Sequence, residues 1–127
     1  MTTTATEHGL WQHITAALAW VDAANGRSDH ETTLRLLKLV EEAGEVAAAY
    51  IGTVGQNPRK GVTHTRDDVA DELCDVALTA LVALATITGD ADTARAALDA
   101  HLAKQAPRFA TQPDTQLTLF TTAEPAA

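Results

Sequence analysis

Residues 38–46 read KLVEEAGEV, which places Glu41, Glu42 and Glu45 within five positions. A second acidic run, DDVADELCDVALTAL, begins at Asp67 and carries Asp68, Asp71, Glu72 and Asp75. Both runs are set among Leu, Val and Ala at helical spacing. At 100° per residue, Lys38, Glu41, Glu42 and Glu45 fall within an arc of roughly 100°. Leu36, Leu39, Val40, Ala43, Ala47 and Ile51 share the opposite side, which reads as the face for a core. Like charges three and four apart destabilise a helix, and Lys38 alone compensates them locally. Glu72 and Asp75 stand where a hydrated helix end passes into an apolar segment, so they require cations nearby to stay charged.

Hard oxygen ligands offered from several points suit Mg²⁺ or Mn²⁺ rather than zinc. Neither cluster contains histidine, which argues against a di-iron bundle. The competing reading is a solvated acidic face, and Asp67 and Asp68 also suit a helix N-terminus. Two clusters on consecutive helices, which usually pack antiparallel, favour one shared carboxylate pocket.

The elements that must position these groups are helical. Ala, Leu and Val dominate a chain that is 46% hydrophobic and 4% aromatic, and Ala and Leu are strong helix formers. The pattern predicts helices over 7–24, from Asp29 or His30 to Ile51, over 67–88 and over 92–106. Gly52 reads as the stop of the second helix, and residues 52–66 as a long glycine-rich loop. The expected fold is an all-α, four-helix-type bundle: one domain over 1–110, then a disordered tail over 111–127.

The net charge of −8 disfavours nucleic acid and anionic membrane as partners. No apolar run is long enough to span a bilayer. The single cysteine, Cys74, permits no internal disulfide and reads as a small buried apolar residue. With no signal-like leader in MTTTATEHG, the expected location is the cytoplasm.

The pattern E-E-x-x-E, then 26 residues, then E-x-x-D (Glu41, Glu42, Glu45, Glu72, Asp75) resembles that of the MazG-like all-α nucleoside triphosphate pyrophosphatases. The likeness runs from His30 to Thr88 and includes the contexts KLVEEAGEVAAA and DVADELCDVALTAL. It implies cleavage of a (d)NTP between the α- and β-phosphates, with Mg²⁺ as cofactor, in a homodimer or homotetramer. By resemblance, Glu42, Glu45, Glu72 and Asp75 are metal ligands, and Glu41 is a further ligand or orients the attacking water. A bound cation would reverse the repulsion between an acidic protein and a polyanionic substrate, and no covalent nucleophile is needed.

Phosphate contacts are less determined. Lys38 is one turn before Glu42, within reach of a phosphate or of Glu41. Arg59 and Lys60 lie in the glycine-rich loop, and Lys104 and Arg108 lie further on. Trp11, Trp20 and Tyr50 are the aromatic candidates for stacking on a base, against core packing for at least one tryptophan. His30 reads as a helix cap, His64 as a loop residue near substrate, and His8, His13 and His101 as surface residues. The alternative function is a non-catalytic helical module that binds nucleotide or a partner.

Overall fold

A computed structural model describes residues 5–110. Four helices account for most of them: α1 (Ala5–Asn25), α2 (Asp29–Val54), α3 (Arg66–Thr88) and α4 (Ala91–Gln105), with a 3-10 turn at Ala106–Arg108. No strand occurs among the described residues, and no single helix there is long and apolar enough to cross a membrane. The tail from Thr111, with Leu117, Leu119 and Phe120, and the side chain of His8 lie outside what is described.

Side chains and glycines set the helix ends. Ser28, not His30, caps α2: its hydroxyl accepts from the Glu31 N–H at 3.1 Å, satisfying one of the orphan donors of the first turn. Thr65 and Asp68 cap α3 reciprocally. Thr65 Oγ1 accepts from the Asp68 N–H at 3.2 Å, and Asp68 Oδ2 accepts from the Thr65 N–H at 2.7 Å, the capping-box arrangement. These bonds hold the Asp68 carboxyl below its ordinary range. Asp90 takes the Thr93 N–H at 2.7 Å at the start of α4.

Gly52 does not end α2. The helix runs one turn further, to a cap at Gly55 with φ of 63°, the left-handed conformation that favours glycine. Gly52 is there for close approach. A Cβ at this position would lie 2.6 Å from Thr63 Oγ1 and clash with the His64 ring. Its carbonyl accepts from the Thr63 N–H at 3.0 Å. The connection is therefore shorter than expected and folds back on α2.

The chain forms two compact units, residues up to Ala97 and residues from Leu98. In the second, the end of α4 holds a His101–Gln105 side-chain contact at 2.7 Å. In the first, α3 packs along α2 and against α1. Arg35 meets Thr86, Glu45 meets Glu72, and Gly52 meets His64, so α2 and α3 run antiparallel. The core is small: Ile14 and Leu18 of α1, Ala85 of α3, and Ala91 and Ala94 of α4, with Leu10, Trp11 and Leu81 against them. Ile14 is its largest fully buried side chain, and burial of one such residue contributes about 1.5–3 kcal/mol.

The face of α2 that turns inward differs from the expected one. Its buried residues are Glu31, Arg35, Glu42, Ala49 and Gly52. Leu36, Val40, Ala43, Ala47 and Ile51 are exposed, and Leu39 is half-buried. A buried ionic network explains the inversion. Arg35 donates to Glu31 at 3.0 Å, Asp22 at 2.9 Å, Thr86 at 3.0 Å and the Gly26 carbonyl at 2.8 Å. One guanidinium thus ties α1, α2 and α3 together, using the planar fork that suits buried ion pairs. Among the described residues, no buried side-chain nitrogen or oxygen lacks a hydrogen-bond partner. Two other expectations change. Cys74 is exposed, on a side of α3 shared with exposed Leu73 and Ala77. The apolar half of α3 is mostly half-buried, with only Ala83 and Ala85 fully so.

Candidate metal centre

The antiparallel packing of α2 on α3 brings three of the predicted carboxylates together. Glu42, Glu45 and Glu72 each offer an oxygen, and these oxygens lie within 4.8 Å of one another. Glu42 and Glu45 share a face because they are three apart on α2. Glu72 reaches them from α3, so the group closes only when the two helices pack.

The electrostatics are those of crowded like charges. Glu42 is buried, Glu72 half-buried and Glu45 exposed. The negative charge of Glu42 raises the proton affinity of Glu45, with desolvation and Glu72 adding to it. An oxygen of Glu42 lies within 4.8 Å of one of Glu45, a spacing at which two ionised carboxylates repel each other unless a proton or cation offsets the charge. Glu42 itself is held below its ordinary range, chiefly by the Lys38 ammonium.

Lys38 is the counter-cation of the site. Its Nζ lies 2.8 Å from Glu42 Oε1 and 3.0 Å from Glu41 Oε2, and these bonds raise its own pKa. Of the two partners the sequence offers Lys38, a phosphate or Glu41, the i,i+3 bridge to Glu41 is present, and the i,i+4 bridge to Glu42 is additional. Glu41 is exposed and turned to Lys38 rather than grouped with the other three. Asp75 is exposed and also lies outside the group. The pairing of Glu45 with Glu72 levels Asp75 with Glu42 on the facing helix, one turn from Glu72.

The donor set fits a small hard cation. Oxygens around Mg²⁺ at about 2.1 Å stand about 3 Å apart when adjacent and about 4.2 Å when opposite. A small inward movement of three carboxylates would reach those separations.

Arg59 and Lys60 occupy the connection after α2 and are exposed. Lys60 lines a groove of about 290 Å³ with Gln56, Asn57 and His64. Gly52, against which that connection folds, is seven residues beyond Glu45, about 10 Å along the helix. The aromatics separate by role. Trp11 packs on the core, Tyr50 is exposed, and Trp20 walls a cleft of about 280 Å³ with His13, Arg35, Lys38, Leu78 and Thr79. That cleft opens beside the carboxylates, since Lys38 borders both. His13, His30 and His101 are exposed. Lys104 and Arg108 belong to the second unit.

The residue missed in the sequence is Arg35. Its signal was Glu31 four residues before it and Glu42 seven after it, on one stripe of α2. No family model, no curated protein and no solved structure matches the chain.

Proposed function

We propose that Glu42, Glu45 and Glu72, joined by Asp75, hold a divalent cation, Mg²⁺ or Mn²⁺, and that the chain is a nucleoside triphosphate pyrophosphohydrolase. The reaction is hydrolysis of a (d)NTP between the α- and β-phosphates to (d)NMP and pyrophosphate. The observation that carries this reading is the set of three carboxylate oxygens within 4.8 Å, drawn from two helices, with one of the three residues buried. The resemblance of the two acidic motifs to the all-α pyrophosphatases supplies the reaction.

When bound, Mg²⁺ would neutralise phosphate charge and lower the pKa of a coordinated water. The chain's own groups do the rest. Glu42 and Glu45 share a proton or a cation. Lys38 leaves Glu42 as the site fills and turns its ammonium to a substrate phosphate. Glu41, freed from Lys38, accepts a proton from the attacking water or adds an oxygen ligand. Arg59 and Lys60 approach the outer phosphates from the connection after α2. The cleft beside Lys38 receives the base, with Trp20 as the stacking surface.

A panel of NTPs and dNTPs assayed for pyrophosphate with Mg²⁺ tests the reading. Release from at least one of them, lost in Glu45→Ala and Asp75→Ala, is the expected result. Cation binding with no pyrophosphate from any substrate would end the enzymatic reading. One observation favours a second reading, a non-catalytic nucleotide-binding module: Lys38 already neutralises Glu41 and Glu42. That module would bind nucleotide without turnover, and its melting temperature would not respond to Mg²⁺ alone.

A further inference from the structure

The groove formed by the end of α2 and the connection after it differs in composition from the rest of the chain. The protein carries 17 acidic side chains against 9 basic ones. Among the described residues that line this groove of about 290 Å³, none is Asp or Glu. Its polar side chains are Gln56, Asn57, Lys60, Thr63 and His64, and each is able to donate a hydrogen bond. The amide oxygen of Asn57 accepts from the Arg59 N–H at 3.0 Å, which leaves its NH₂ group as the available donor.

His64 is seated there at the expense of the helix. Its half-buried ring lies over Gly52, where any side chain would collide with it and with Thr63. Glycine is the poorest helix former after proline, so α2 gives up helix propensity to admit this imidazole. Thr63 Oγ1 lies 2.8 Å from His64 Nδ1. When that hydroxyl donates, the ring proton is on Nε2. An anion in the groove selects this form or the doubly protonated one, because both present an N–H to it.

We propose that this groove binds a phosphate-type oxyanion, with His64 Nε2, the Lys60 ammonium and the Asn57 amide as donors. The acidic surface elsewhere repels such a ligand, and a groove that offers donors and no carboxylate does not. Its position gives the ligand a source. Ala48 in its wall is three residues beyond Glu45 and Gly52 is seven, about 4.5 and 10 Å along the helix. The cleft walled by Trp20 and Lys38 lies in the opposite direction, since Lys38 is seven residues before Glu45. Cleft, carboxylates and groove therefore follow one another along α2. With the proposed pyrophosphohydrolase activity, on which this assignment of the source rests, the anion is the outer end of the substrate's polyphosphate chain. The groove then fixes the direction in which the substrate lies: base toward Trp20, terminal phosphate toward His64. Free pyrophosphate offers the same chemistry.

Proton NMR of the histidine rings tests the inference, with sodium pyrophosphate titrated into the metal-free full chain at constant pH and ionic strength. Of the five histidines, the one whose signal is lost in His64→Gln is expected to move saturably, and the other four to stay. Lys60→Gln should weaken the response at least threefold. Gly52→Ala, which removes no polar group, should weaken it as well by displacing the ring. A His64 signal that does not move, movement of another histidine instead, or an unchanged affinity in Lys60→Gln would overturn the site. Glu45→Gln should bind pyrophosphate at least as well as wild type, so failure of the groove is distinguishable from failure of the carboxylate centre. A nucleoside triphosphate and its diphosphate separate the two sources. The triphosphate should move the His64 signal at a lower concentration than the diphosphate. If pyrophosphate moves it and neither nucleotide does, the groove takes the free anion and the assignment to the substrate's outer end is refuted.

Discussion

Arg35→Ala is the perturbation that most severely tests how the site is held. The wild-type guanidinium makes four hydrogen bonds, two of them to carboxylates, and is almost fully buried. Removing one partner of a buried ion pair costs about 3–5 kcal/mol. Two features pull toward the lower end. Asp22 keeps Arg27 at 2.6 Å, and Glu31 keeps Asn25 at 3.1 Å. A loss of about 3 kcal/mol is expected, which for a unit of this size lowers Tm by roughly 12–24 °C. Urea melts and thermal melts measure it. The pH profile adds a second reading. Asp22 is held below its ordinary pKa by Arg27 first and Arg35 next, and Glu31 by Arg35 first and Asn25 next. Groups with depressed folded pKa values stabilise above their unfolded pKa and lose that stability as pH falls through the folded value. Wild type should therefore weaken below about pH 4, and Arg35→Ala should show a shallower acid limb. A loss under about 1 kcal/mol, or an unchanged acid limb, would refute the idea that this residue clamps α1, α2 and α3.

Three further outcomes follow from the same contacts. Gly52→Ala should lower stability by about 1–2 kcal/mol in a urea melt, because overpacking against Thr63 and His64 outweighs the gain in helix propensity; a raised midpoint would contradict the close approach. Lys38→Met should tighten Mn²⁺ binding severalfold by calorimetry, since ammonium and metal compete for Glu42, and should reduce pyrophosphate release if Lys38 meets a phosphate. Glu45 has a raised pKa, so its contribution to stability is present below its ordinary value near 4.5 and is lost as pH rises through the raised one. Without divalent cation, melts across that range should show this loss in wild type and not in Glu45→Gln.

The helices were legible because their signals are local. The 3.6-residue period, Asn25-Gly26, Gly89 and Pro107 bound four helices to within a few residues. Gly52 was misread because a glycine that stops a helix and one that admits a neighbouring loop look alike until the neighbour is in place. The meeting of Glu42, Glu45 and Glu72 could be read from spacing plus antiparallel packing. The inward face of α2 could not. A helical wheel separates a charged side from an apolar side, and burial within one chain ordinarily selects the apolar one. Here the Arg35 network and the α3 contact draw the polar stripe inward. Lys38 bridging two glutamates, and Asp75 standing apart from the three oxygens, depend on side-chain rotamers that spacing does not fix.

Titration of Mn²⁺ followed by electron paramagnetic resonance, in which only the free ion gives the strong signal, addresses the carboxylate centre without assuming a substrate. Wild type should remove Mn²⁺ from solution saturably, with Mg²⁺ competing for the same capacity, and Glu45→Gln and Glu72→Gln should each weaken uptake at least tenfold. Equal uptake by wild type and both variants, or none by wild type, would mean that Glu42, Glu45 and Glu72 are no more than an acidic face between two helices.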